Sequence, residues 1–157
     1  IRLGGSPGGI PRLSGLPWQL SFSHSGQAAF CALRHCENAK GILGLDAEHH
    51  AALPPASRAF TQKERKLLSA STALARWTIK EALLKALETG LASDPALLEI
   101  DRLGLRRGRI LHAGHRLSWR LLTCPGHWLS IAEDTENPPS PTVRWLPVQA
   151  ICADRFF

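Results

Sequence analysis

The chain has 157 residues, 44% hydrophobic and 20% charged, which excludes wholesale disorder and suits one ordinary domain or two small lobes sharing a core. Its net charge of +6 favours an acidic partner, whether nucleic acid, a phosphate-rich cofactor or an acidic protein, without choosing among them. No run approaches the roughly 18 apolar residues of a membrane span and no signal peptide is visible, so a cytoplasmic protein is expected.

The chain opens on Ile1 and contains no methionine, as expected of a processed, trimmed or incomplete chain. Residues 4–17, GGSPGGIPRLSGLP, are dense in Gly and Pro and predict a loop. WQLSFS (18–23) alternates like a half-buried strand that His24-Ser25-Gly26 breaks. Residues 28–34 (AAFCALR) and 41–47 (GILGLDA) predict two further strands, neighbours in one sheet joined by short hairpins, and 50–57 a loop. Thr61 and Glu64 have capping-box spacing, which predicts a short helix. The longest helix is predicted over 72–88, rich in Ala, Leu, Lys and Glu and stopped before Gly90. Beyond it, LLEID (97–101), RILHA (109–113), RLSWRLL (116–122) and HWLSIAE (127–133) predict strands, with Gly108, Gly114 and Pro125-Gly126 at the turns. PTVRWLPV (141–148) predicts a last edge strand. The expected fold class is α+β, a mostly antiparallel sheet packed on one long helix. The cysteines (Cys31, Cys36, Cys124 and Cys152) lack disulfide-framework or zinc spacing and read as reduced, buried thiols.

Strand alternation puts Asp46 and Glu48 of GILGLDAE on one face. On the long helix, Glu81 and Lys85 lie one turn apart on a stripe with Leu74, Trp77 and Thr78, while Ile79, Leu83, Ala86 and Leu87 fill the opposite side. Such a helix is apolar nearly all round, so its acid and lysine need partners. Alone, Glu81 and Lys85 read as an edge ion pair worth about 0.3–0.5 kcal/mol. With Asp46 and Glu48 added, three carboxylates make a hard oxygen site suited to magnesium, with Lys85 facing a phosphate as a point charge. His24 is set among Ser23, Ser25 and Gly26; a lone histidine is more often structural, but a hydroxyl-rich turn here could receive an anion.

The ordered blocks Ser23-His24-Ser25-Gly26, Gly44-Leu45-Asp46-Ala47-Glu48 and Trp77-Thr78-Ile79-Lys80-Glu81 with Lys85 resemble the 4′-phosphopantetheinyl transferases. The type resembled is the surfactin-synthetase one rather than the short trimeric holo-acyl-carrier-protein synthases, over residues 16–134. The resemblance implies a partial pseudo-dimer: residues 1–17 as a Gly/Pro-rich remnant of a first lobe, and 18–157 as the transferase domain with its metal-binding lobe. It implies magnesium-dependent transfer of phosphopantetheine from coenzyme A to a serine of an acyl or peptidyl carrier protein. Adenosine 3′,5′-bisphosphate would be released, in fatty-acid, polyketide or nonribosomal-peptide synthesis.

Carried over, Asp46, Glu48 and Glu81 hold magnesium, and Glu81, or a metal-bound water held by Glu48, deprotonates the serine. Lys85 contacts the pyrophosphate, His24 a phosphate of coenzyme A, and Ser23 lies near the 3′-phosphate and adenine. Where the family has a Gly-Lys-Pro element at the adenine, this chain has Gly9-Ile10-Pro11 followed by Arg12, which is assigned to coenzyme A. Arg102, Arg106, Arg107 and Arg109 read equally as a docking face for an acidic carrier or as a solvated turn. The alternative is a non-catalytic relative or fragment that binds coenzyme A or carrier protein without transfer. A nucleic-acid binder is not expected, for there is no tyrosine and no recognised nucleic-acid motif.

Overall fold

The computed structural model describes residues 3–4, 12–13, 16–35, 42–89, 92–100 and 106–134. Among the described residues, eight strands form two antiparallel sheets of four. The first runs in order β1 (Leu3–Gly4), β2 (Arg12–Leu13), β3 (Trp18–Ser25), β4 (Ala28–His35). The second has the order β5 (Leu43–His49), β8 (His127–Glu133), β7 (His115–Cys124), β6 (Arg107–His112). Between β5 and β6 the described residues include α1 (Gln62–Arg65) and α2 (Ala70–Ala86). No helix among the described residues is long and apolar enough to cross a membrane.

The second sheet is covered on both faces. On one, α2 lays Ala75, Ile79, Ala82, Leu83, Leu84 and Ala86 against Leu117, Trp119, Leu121 and Ala132. On the other, Phe30 and Ala32 of β4 pack on Leu45, Ala47, Cys124 and Leu129. Gly44 explains how closely α2 approaches β5. A Cβ there would stand 1.9 Å from the Ala82 carbonyl oxygen and 2.6 Å from the Ala86 nitrogen, so a side chain would push the helix off the strand. At the far end Arg34 ties the layers, its guanidinium donating to Gln19 Oε1 (2.7 Å) and Asp134 Oδ1 (2.8 Å).

Both helix starts are capped by reciprocal hydrogen bonds, Thr61 with Glu64 and Ser69 with Thr72. The first is the expected capping box; the second starts α2 two residues earlier than the composition suggested. α2 is buried on almost every side, as its all-round apolar pattern required.

Several expectations are corrected. Residues 28–34 and 41–47 do not share a sheet: β4 ends the first sheet and β5 is an edge of the second. β3 is not broken at His24, since His24 pairs with Ala29 and Ser25 with Ala28, and the turn comes at Gly26, with φ +61°. The Gly/Pro-rich opening contributes two short strand pairings, Leu3 with Leu13 and Arg12 with Gln19. Residues 97–100 of LLEID are not strand: a 3₁₀ turn covers Pro95–Leu97 and helix side chains satisfy the backbone beyond it. Glu64 Oε1 accepts from the Ile100 N–H (2.8 Å), and Arg76 Nε donates to the Ile100 carbonyl (3.2 Å). Cys124 is buried, whereas Cys31 alternates to the outer face of β4 and is exposed. Cys36, Cys152, Arg102 and 141–148 lie outside the described residues.

Candidate active site

β3 and β5 lie side by side in different sheets. Serine side chains join them. Ser21, Ser23 and Ser25 of β3 accept the N–H groups of Leu45, Ala47 and His49 at 2.8, 3.1 and 2.8 Å. Spacing of two on both strands keeps the three hydroxyls on one face. Ser23 Oγ also donates to Asp46 Oδ1 (2.9 Å), and Ser25 Oγ to Glu48 Oε2 (3.1 Å).

From the opposite side, α2 brings Lys85 and Glu81. Lys85 Nζ lies 2.7 Å from Asp46 Oδ1 and 3.3 Å from Ser23 Oγ. Lys85 therefore pairs with the strand acid, across the helix–strand contact, in place of the edge pairing with Glu81 that the helix alone suggested. Asp46 is 3% exposed and, among the described residues, its Oδ2 has no hydrogen-bond partner. The buried hydroxyl of Ser130, directly across from Asp46 on β8, is also unpartnered. An unpaired buried polar atom costs about 1–3 kcal/mol, so two in one spot mark a place built to receive something polar.

The electrostatics agree. Burial raises the Asp46 carboxyl above the usual carboxylate range, against Lys85 and the hydrogen bonds from Lys85, Ser23 and the Ala47 N–H. Burial and the charge of Asp46 raise Glu48, against the hydrogen bond from Ser25, the nearby Trp77 indole and the charge of Lys85. Glu81 is pushed up to about 7 by burial, then Asp46 and Glu48, with only Lys85 opposing. Three acids thus share one lysine. Among the described residues, no three His, Cys, Asp or Glu side chains are gathered as ready metal ligands. The three carboxylates feel one another without closing on a common point.

On another side of α2, Lys80 is fully buried. Its Nζ reaches Glu64 Oε2 (2.7 Å), Pro95 O (2.9 Å) and Ala59 O (3.1 Å). Ala59 and Pro95 belong to the wall of an open groove of about 490 Å³, completed by Pro55, Ala56, Arg58, Asp94 and Trp77. Trp77, one turn before Glu81 on α2, also lines this groove.

Of the residues expected at the site, Ser23, Asp46 and Lys85 are in direct contact, and Glu48 and Glu81 lie within electrostatic reach of them. His24 does not join them: it is exposed, on the face of β3 opposite Ser23 and Ser25. Arg12 pairs with Gln19 one strand beyond β3. Arg106, Arg107 and Arg109 are exposed at or beside β6, the edge of the second sheet opposite β5 and three strand spacings away, about 14 Å. Not anticipated from the sequence are Ser21 and Ser25 as side-chain partners and the pairing of Lys80 with Glu64. The every-second-residue serines of LSFSHS were the available signal for the first two.

A comparison with curated proteins returns no match. A family model described as the 4′-phosphopantetheinyl transferase superfamily matches residues 42–138, well over half the chain and the whole stretch that carries the acids, Lys80 and Lys85. The chain belongs to the 4′-phosphopantetheinyl transferase superfamily, whose chemistry is phosphopantetheine transfer.

Proposed function

We propose that the chain is a surfactin-synthetase-type phosphopantetheinyl transferase. In this reading it uses coenzyme A and magnesium to modify a serine of an acidic acyl or peptidyl carrier protein, releasing adenosine 3′,5′-bisphosphate. Residues 18–157 are the transferase domain with its metal-binding lobe. The observation that carries the reading is the cluster of Asp46, Glu48, Glu81 and Lys85 from one strand and one helix, with the buried Asp46 Oδ2 left unpaired.

The donor set fits a hard cation. All three acids offer oxygen, their mutual repulsion is relieved by added positive charge, and Asp46 Oδ2 has an unused acceptor. Asp46, Glu48 and Glu81 would hold the ion, which when bound neutralises the pyrophosphate charge that transfer builds up. Glu81, or a water held by Glu48, is the group assigned to take the proton of the incoming serine hydroxyl. Lys85 carries the positive charge nearest to Asp46 and offers it to a phosphate oxygen. The groove beside Trp77 is the adjacent space with apolar walls for the pantetheine arm.

Incubation with coenzyme A, magnesium and an apo carrier protein tests this by intact mass. Addition of a phosphopantetheine group to the carrier is expected, with Asp46→Asn and Glu81→Gln lowering the rate by about a thousandfold or more while remaining folded. Full rate in either variant would remove the assigned ligand. Binding of coenzyme A without any transfer would favour the non-catalytic relative.

A further inference from the structure

The serine rungs between β3 and β5 are not equivalent, and the difference carries an assignment. A hydroxyl offers one proton and two acceptor positions. All three serines spend an acceptor position on a β5 amide, in the place where a paired strand would present a carbonyl. That leaves each proton to be placed. At Ser23 it goes to Asp46 Oδ1, at Ser25 to Glu48 Oε2. The remaining position on the same face of β5 is Gly44, which has no side chain because α2 occupies the space. Ser21 is therefore a rung without a carboxylate.

We infer that Ser23 and Ser25 are positioning residues for the two strand carboxylates. Each fixes one oxygen of its acid to a rigid strand neighbour and so aims the other, while Ser21 serves only the joint between sheets. The consequence is visible at Asp46: Oδ1 takes both Ser23 and Lys85, and Oδ2 is the atom left open. A carboxylate without such a partner rotates about its last bonds, and restraining it lowers the entropy lost when an ion is captured. This role rests on the magnesium reading above, and it differs from the contact near the 3′-phosphate and adenine that the resemblance gave Ser23.

The contrast within one ladder supplies the test. Mn²⁺ in the presence of coenzyme A is titrated into the full chain and its Ser21→Ala, Ser23→Ala and Ser25→Ala variants, followed by electron paramagnetic resonance of free Mn²⁺. Thermal midpoints are recorded in parallel. All three variants lose an amide acceptor and should lose similar stability. Ser23→Ala and Ser25→Ala should weaken Mn²⁺ binding by about 10-fold or more, the size expected when a ligand loses its supporting hydrogen bond, while Ser21→Ala stays within about 2-fold of wild type. Ser25→Thr, which keeps the hydroxyl, should restore most of the affinity. Equal weakening in all three variants reduces the ladder to a structural joint and overturns the inference, as does unchanged binding in Ser23→Ala and Ser25→Ala. A wild-type chain that binds no Mn²⁺ overturns the magnesium reading itself, and the inference with it.

Discussion

Helix α2 carries two lysines five residues apart, and each meets a carboxylate at 2.7 Å. Lys80 and Glu64 are both essentially inaccessible, and nearly every valence is used. The ammonium has three acceptors, while the carboxylate takes Lys80 and the Thr61 N–H on one oxygen and the Ile100 N–H on the other. Lys85 is about one-third exposed, and its partner Asp46 has an oxygen with nothing on it and two further acids within electrostatic reach. A closed pair holds a fold together and has nothing to offer a ligand. An open, charge-unbalanced one is poorly optimised for stability and suited to chemistry.

The largest effect should come from breaking the closed pair. Lys80→Ala leaves Glu64 buried without its cation and removes the contacts that tie the Ser57–Ala59 and Pro95–Leu97 turns to the helix. A loss of about 3–5 kcal/mol is expected from denaturant unfolding, enough to unfold much of a marginal domain. If Lys80→Ala unfolded within about 1 kcal/mol of wild type, the division between the two lysines would collapse.

Lys85→Ala should show the reverse pattern. Lys85 is about one-third exposed but Asp46 is buried, so the loss should cost less than that of Lys80 without being neutral, about 1–2 kcal/mol. Transfer should fall by about 100-fold in kcat/KM, as when one positioned charge is removed from a phosphate-transfer site. Lys85→Arg should recover little of it, since the planar fork does not replace a point charge packed against Ser23 and Asp46. Retained activity in Lys85→Ala would take this lysine out of the chemistry.

The open site was more legible than the closed one, for a physical reason. Asp46 and Glu48 announce themselves because acids at alternate positions at the end of an apolar run contradict their surroundings, and Glu81 and Lys85 contradict an apolar helix. Lys80 contradicts it equally, but its partner sits in a one-turn helix whose Glu64 reads first as a capping residue. It is indeed one, with the other half of its role in space rather than in sequence. Alternation likewise shows which residues of β4 and β5 share a face but not which strand each pairs with. The β3–β5 joint is made by hydroxyls, so no strand-pairing pattern records it. LLEID looked like a strand because Leu98 and Ile100 alternate and are buried, yet its amide and carbonyl partners come from Glu64 and Arg76, residues far along the chain.

The smallest effect concerns the cost of keeping the second site open, and its sign is fixed by Glu81. In the folded chain this carboxyl holds its proton up to about pH 7, whereas an ordinary glutamate releases it near 4.5. Between those values the folded state binds more protons than the unfolded one. Stability is therefore lost as pH rises through this window, and the loss is complete above it. Asp46 and Glu48 are shifted in the same direction and add to the decline. The thermal midpoint of the metal-free chain should accordingly fall between pH 5 and pH 8. Glu81→Gln cannot ionise, so it should flatten that fall and be the more stable protein at pH 8, by roughly 1–2 kcal/mol after discounting for the partial exposure of the group. The same substitution removes a proposed metal ligand and base, so one variant would gain stability and lose transfer, which is how a strained functional group differs from a structural one. Parallel pH profiles for wild type and Glu81→Gln would mean that the acids around Asp46 are not strained against one another, and the open site would then be no more costly than the closed pair beside it.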